Sequence, residues 1–318
     1  MKRQRICVVG GTGFVGTDLV HRLAALGHSV TLTTRRPERH REFRLHDSVR
    51  VVKINPYDSV ALQGLLAGQD CVINLAGILN ETGNSKFQTV HAELPRAIVK
   101  AMRESGVSRL LHMSALNANV NESHSRYLKT KGQGEDLVQQ QAGLRVTSFR
   151  PSVIFGPGDS FFNRFAALLR LAPPLFPLAC ADSRFAPVFV GDVVEAFVVA
   201  INDERTVGQR LELCGPKIYT LQQLVQYTAQ QIGKRTQVIG IPDFMARLQG
   251  HALGLVPGKP FSIDNYYSLQ KDSVCSASAL PGLGIEPHSV ECIVPAYLAD
   301  RHTRAQYARY RASARREV

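Results

Sequence analysis

Apolar positions in the first half of the chain come in short runs separated by amphipathic stretches. ICVV (6–9) predicts a strand, and GGTGFVGTDLVHRLAALG turns from it into a helix that Gly27 ends. HSVTLTT and VRVVKI predict a second and third strand, and SVALQGLLAG a helix closed by Gly68. DCVINLAG predicts a fourth strand, a long helix follows over 87–105, and SRLLHMSA predicts a fifth strand. YLKTKGQGEDLVQQQ then reads as a helix and LRVTSFRPSVIFG as a sixth strand. Strands alternating with helices imply a parallel sheet covered on both faces and joined by right-handed crossovers. After Gly156 the alternation breaks, where Pro173, Pro174 and Pro177 interrupt FAALLRLAPPLFPLA. The expected fold class is α/β: a Rossmann doubly wound parallel sheet with a smaller C-terminal α+β lobe. The dinucleotide-binding domain is expected over 1–155, with its sheet completed by later segments. A mixed substrate or partner lobe is expected over 156–300 and a basic tail over 301–318. The lobe is placed over the C-terminal edge of the sheet, where ligands of open α/β folds bind.

Composition narrows this only a little. A chain of 318 residues, 44% hydrophobic, can bury a full core. Cys7, Cys71, Cys180, Cys214, Cys275 and Cys292 lie far apart with no C-x-x-C pair, which predicts reduced thiols, a cytoplasmic setting and no metal site. The apolar run near the start is broken by glycines, so it reads as a first strand rather than a signal peptide. No uncharged apolar stretch reaches the ~18 residues of a membrane span. The net charge of +12 suits an anionic nucleotide or an anionic membrane surface, and no nucleic-acid motif accompanies it.

Gly10, Gly13 and Gly16 fall between the first strand and its helix. Gly10 permits the tight turn, Gly13 lets the backbone approach a pyrophosphate, and Gly16 lets helix and strand pack closely. An NAD site usually places an acid after the second strand, but here Thr34, Arg35 and Arg36 stand there. Two arginines offer a fork of donors to a 2′-phosphate, which favours NADP(H); the alternative is a solvated basic loop, since RRPERHREFR is charged throughout. Tyr127 and Lys131 form a Y-x-x-x-K spacing at the start of the helix after strand five, a few residues past Ser114. A second match, Tyr267 and Lys271, lacks that context.

With GGTGFVG, NLAG (Asn74–Gly77), Tyr127/Lys131 and RPSVIFGPGD in this order, the chain resembles the short-chain dehydrogenase/reductase superfamily, in particular its larger members. SALNANVNESHSRYLKTKGQGE followed by FRPSVIFGPGDSFFNRF is similar to one atypical branch, which holds the nucleotide-binding accessory subunit of respiratory complex I and its bacterial relatives. The resemblance covers about residues 5–200 and implies a Rossmann sheet that binds NADP(H). It implies a phosphate loop of Gly10, Thr12, Gly13, Phe14, Val15 and Gly16, with Arg35 and Arg36 on the 2′-phosphate. Asn55 stands where the superfamily has Asp near the adenine, and Leu75, Ala76 and Gly77 pass along the ribose. Tyr127 is implied as general acid/base, with Lys131 lowering its pKa and holding the nicotinamide ribose. Pro151 and Val153 flank the carboxamide. Ser114 joins Tyr127 and Lys131 as a catalytic candidate, yet it fills the first of two hydroxyl positions, and Ala115 occupies the second, which usually polarises the substrate carbonyl. Asn117, Ser123 and Ser125 are candidate substitutes. His91 and His112 read as hydrogen-bonded structural histidines, and Asp192 as a brace. Two functions stay open. One is an NADP(H)-dependent oxidoreductase acting on a small hydrophobic carbonyl, alcohol or quinone-related compound. The other is a non-catalytic NADPH-binding scaffold of a membrane-associated respiratory complex. In either case a peripheral position on the inner face of a membrane is expected, with the apolar 165–179 segment and the basic tail as contacts.

Overall fold

The computed structural model describes residues 3–83, 85–122, 124–256 and 261–298. In chain order its strands are β1 (Arg5–Val9), β2 (Ser29–Thr34), β3 (Val49–Lys53), β4 (Cys71–Asn74), β5 (Arg109–Met113), β6 (Arg145–Pro151), β7 (Ile154–Phe155), β8 (Leu175–Leu178), β9 (Arg184–Phe185), β10 (Val188–Phe189), β11 (Arg210–Leu213), β12 (Tyr219–Thr220) and β13 (Gln237–Gly240). Its α-helices are α1 (Phe14–Ala25), α2 (Ser59–Leu66), α3 (Leu94–Ser105), α4 (Arg126–Gln139), α5 (Phe162–Leu171), α6 (Val190–Ala200), α7 (Leu221–Gln231), α8 (Asp243–Gly254), α9 (Ile263–Leu269) and α10 (Val290–Leu298).

Seven strands form one parallel sheet in the order β11-β6-β5-β4-β1-β2-β3. The order reverses at β1, where an open α/β sheet creates its ligand crevice. The chain divides into two compact units. The first comprises Met1–Pro151, Val193–Leu213 and Ala277–Ile285; the second comprises Ser152–Asp192, Cys214–Ser276 and Glu286–Val318. In the first unit, Cys7, Val72, Leu110 and Val146 on the strands pack against Leu62, Leu66, Ile98, Met102 and Val138 on the helices. Near-continuous apolar strands such as CVIN and RLLHM are fully buried, as a sheet covered on both faces requires. The second unit has its own core, in which Phe155, Phe162, Leu169, Phe185, Leu224 and Val294 meet.

Two expectations change in detail. The predicted sixth strand is two strands: β6 ends at Pro151 and pairs with β5 and β11, whereas β7 pairs with β10 in the second unit. The 87–105 helix contains a π-helical turn, Thr89–Glu93, before α3. Pro95 lies early in α3, and in a regular helix its ring would clash with the carbonyl four residues back, at His91. The wider turn relieves that clash.

The thiol expectation is corrected. Cys214 and Cys275 form a disulfide across 61 residues of sequence, while Cys7, Cys71, Cys180 and Cys292 are free. Sequence distance hid the pair because the segment around Ser273 runs back beside β9, bonding its N–H to Arg184 O, and Cys275 N–H reaches the Cys214 sulfur at 3.1 Å.

Candidate functional site

Gly10 sits at φ +79°, and a Cβ on it would lie 2.6 Å from Ala76 N, so the β1–α1 turn presses on the end of β4. A Cβ on Gly16 would fall 2.4 Å from Gly11 Cα, which fixes α1 against the loop. Gly11, which the motif reading passed over, is as constrained: its Cβ would strike Leu32 Cδ1 at 2.5 Å. Gly13 is different. It is exposed, its built Cβ meets nothing closer than Gly10 O at 3.5 Å, and it caps α1 without any side-chain hydrogen bond. The first amides of α1, at Phe14 and Val15, thus begin a helix with no side chain over its positive end, the arrangement that receives a phosphate. Thr12 is half-buried in the same turn. The loop therefore fits a dinucleotide pyrophosphate.

Arg35 and Arg36 are exposed immediately beyond β2, and β2 lies next to β1. Burial pushes the Tyr57 phenol pKa upward, and the nearby Arg35 charge opposes it. Tyr57 is thus a neighbour of Arg35 that the motifs did not signal. Asn55 is exposed beyond β3, and its side chain accepts from Tyr57 N–H at 3.3 Å. Asp58 caps α2 through the amides of Val60 and Ala61.

Beyond β4, the buried Asn74 amide organises the chain. Its oxygen accepts from Ala76 N–H at 3.1 Å, so its NH2 donates to His112 Nδ1 at 3.1 Å, leaving the His112 proton on Nε2. Leu75 N–H bonds Val9 O and joins this turn to β1. Gly77 is exposed, and its open side faces both Lys131 Nζ and His91 Nε2. His91 Nε2 accepts from Ile78 N–H at 3.1 Å, so its proton is on Nδ1 and is donated to Thr130 Oγ1 at 3.0 Å. Burial holds His91 down to about 2 and His112 down to about 3, so both rings are neutral.

Ser125 caps α4, accepting from Leu128 N–H at 3.2 Å, and Tyr127 is the second residue of that helix. The Tyr127 ring is half-buried, edge-on to His91 at 5.5 Å and to Phe87 at 6.0 Å. Lys131, one turn along, is buried and donates to Met113 O at 2.6 Å. Burial lowers its pKa to about 8, and Glu135 acts in the opposite direction. Ser114 points elsewhere: its hydroxyl donates to Glu135 at 2.9 Å, and Glu135, itself fully buried, pairs with Arg150 and Arg210. Ala115 is buried beside it. Asn117 adopts a left-handed backbone at φ +65°, and Ser123 lies outside the described residues.

The first unit thus brings together the glycine loop, Ala76 and Gly77, and sets Lys131 against Gly77 and Tyr127 against His91. Pro151 ends β6 in this unit, whereas Val153 belongs to the second unit and accepts from Val188 N–H. Asp192 also belongs to the second unit, where its carboxylate accepts from the His288 amide and ring. Tyr267 lies on α9, away from any such constellation. Among the described residues no group of three or more His, Cys, Asp or Glu is placed to hold a metal ion.

A family model described as the NAD dependent epimerase/dehydratase family matches residues 6–214. The chain belongs to that family. It is 32% identical to a mouse protein named NADH dehydrogenase [ubiquinone] 1 alpha subcomplex subunit 9, mitochondrial, over 89% of this chain and 77% of the relative. It is 29% identical to a Caulobacter vibrioides protein named ceramide reductase, over 75% of this chain and 74% of the relative. The solved structure of MoeE5 in complex with UDP-glucuronic acid and NAD shares the fold at a TM-score of 0.71 and 18% identity, over 96% and 99% of the two chains. These relatives agree with the branch of the short-chain dehydrogenase/reductase superfamily that the motifs resembled, and an NAD(P)-type site agrees with the glycine loop.

Proposed function

We propose that the protein is an NADP(H)-dependent oxidoreductase acting on a small hydrophobic carbonyl, alcohol or quinone-related compound. The observation that carries this reading is Tyr127 at the start of α4 with Lys131 one turn along, beside Gly77. When bound, the nicotinamide dinucleotide supplies the hydride or receives it. Gly10, Gly13 and Gly16, with Thr12, Phe14 and Val15, hold its pyrophosphate, and Arg35 and Arg36 its 2′-phosphate. Asn55 would border the adenine, Leu75, Ala76 and Gly77 would follow the ribose, and Pro151 at the end of β6 would lie at the carboxamide. Lys131 holds the nicotinamide ribose. Tyr127 exchanges a proton with the substrate oxygen, and His91 and Phe87 keep its ring in place. A relative named ceramide reductase supports a hydrophobic substrate.

A second reading is favoured by Ser114, whose hydroxyl is engaged by Glu135 with Ala115 next in sequence. A scaffold that binds NADPH without turnover needs no carbonyl-polarising hydroxyl, and the mouse relative is named as a subunit of an NADH dehydrogenase [ubiquinone]. Both readings include a protein held peripherally on an anionic membrane surface or membrane complex, in keeping with the +12 charge. Among the described residues, no helix is long and apolar enough to cross a membrane. The basic tail over 301–318 lies outside the described residues.

The test is NADPH consumption with a panel of hydrophobic ketones and quinones. Tyr127→Phe should abolish turnover and leave NADPH binding by titration nearly unchanged. Turnover that survives Tyr127→Phe removes the tyrosine from the chemistry, and binding without turnover on any substrate selects the scaffold.

A further inference from the structure

Helix α8 carries its apolar residues on the wrong side for its own unit. Ala246 and Gly250 are the buried positions, and a Cβ on Gly250 would lie 3.3 Å from the Ile263 backbone, so small residues make the inward face against α9. The large apolar residues point outward. Phe244 and Leu248 on the helix, and Leu255 at its C-cap, follow the i, i+4, i+11 spacing of one stripe and are 71%, 67% and 89% exposed. Met245 and Val256, next in sequence to this stripe, are exposed as well. Leaving such side chains in water forgoes the main favourable contribution to burial, so the stripe is suited to a second apolar phase.

The neighbouring ribbon has the same character. β8 and β13 pair in parallel, with Leu175 beside Gln237 and Pro177 beside Ile239. Phe176 and Val238 enter the core of the unit, which leaves Leu175, Pro177 and Ile239 on the outer side. Leu171, exposed at the end of α5, leads into β8, and Ile239 leads through Pro242 into α8. Among the described residues, most exposed large hydrophobics come from this one run of elements. Cations border it. Lys234 and Arg235 are exposed just before β13, and Arg170 precedes Leu171. The acid on α8, Asp243, is held by Arg247 at 3.0 Å.

We propose that the outer face of α8 and the β8–β13 ribbon docks the second unit onto an anionic lipid bilayer, with Phe244, Leu248 and Leu255 entering the boundary between headgroups and acyl chains. An apolar stripe bordered by basic residues is the pattern of a helix lying in a bilayer interface, and the bordering charge has the sign that anionic headgroups attract. The inference rests on the membrane part of the proposed function and names its surface; it is independent of the chemistry at Tyr127.

The chain contains no tryptophan, so Phe244→Trp places one emission reporter in the face, and Val60→Trp places one at an exposed position of α2 in the other unit. With vesicles of phosphatidylglycerol and phosphatidylcholine, emission of the full-length Phe244→Trp protein should shift to the blue. Brominated acyl chains should quench it, and added salt should weaken the effect. Emission from Val60→Trp should not move. Leu248→Glu should lower vesicle partitioning by about tenfold or more, and Leu248→Ala by less, with thermal melting unchanged because the side chain is exposed. Pelleting with vesicles while Phe244→Trp emission stays constant would leave the membrane reading standing and overturn this face. A blue shift that grows with protein concentration alone would assign the face to a second copy. A shift with solubilised membrane proteins but not with lipid would assign it to a protein partner. Either result, or no vesicle binding at all, overturns the proposal.

Discussion

Lys131 shows how burial and function oppose each other at one residue. Burial lowers its pKa from 10.5 to about 8, so between those values the unfolded chain binds more protons here than the folded one. Stability therefore rises with pH across that window, and the full cost of the buried charge is present below about pH 8. Relative to Lys131→Met, the parent protein should gain up to about 3 kcal/mol over that range, read by denaturant unfolding on both sides of it. A gap that stays constant with pH would show that Lys131 is solvated. Arg35 acts at the same scale through charge alone. Its guanidinium is exposed just beyond β2, and in the NADP(H) reading it takes the 2′-phosphate, so Arg35→Ala should weaken NADPH by about tenfold to hundredfold and NADH hardly at all. Equal affinity of the parent protein for the two cofactors would reject the NADP(H) preference.

At the scale of elements, α4 holds the site together by packing closely rather than by helix propensity. Gly132 and Gly134 are poor helix formers in mid-helix, yet a Cβ on Gly132 would lie 2.5 Å from the Asn119 backbone and one on Gly134 only 1.8 Å from His91 O. The two glycines let α4 touch the β5–α4 loop and the π-helical turn, which carries the histidine that packs on Tyr127. Gly134→Ala should destabilise the first unit by about 3 kcal/mol, because the obstructing atom is backbone. The measurement is a denaturant midpoint, with NADPH affinity falling in parallel as His91 and Tyr127 separate. Unchanged stability would mean that the turn can move aside freely.

For the whole molecule, the chain leaves the first unit after Leu213 and returns to it at Ala277, and the Cys214–Cys275 disulfide closes that excursion at its base. A closed loop of this length restricts the unfolded chain, so Cys214→Ala should cost about 4 kcal/mol in the loop-entropy account. Peptide mapping without reductant should find the two cysteines linked. Free thiols at both positions would remove this contribution. In the NADP(H) reading the cofactor binds the folded chain only, so saturating NADPH should raise the melting temperature of the parent protein and raise it less in Arg35→Ala.

The sequence alone determined the Rossmann order of elements, because a parallel sheet needs continuous apolar strands and each crossover needs an amphipathic helix, and both patterns are local. It also determined the glycine loop and the Tyr127–Lys131 spacing, since a tight turn and a helical turn each span only a few residues. The tertiary structure decided what depends on residues distant in the chain. β11 completes the sheet beside β6 from sixty residues further on. Ser114 is turned to the buried Glu135, which also pairs with Arg150 and the exposed Arg210. The Gly132 and Gly134 contacts, the disulfide and the outward apolar stripe of α8 belong to the same class. Apolar spacing marks a stripe on a helix, but only the packing of Ala246 and Gly250 against α9 determines that this stripe faces outward.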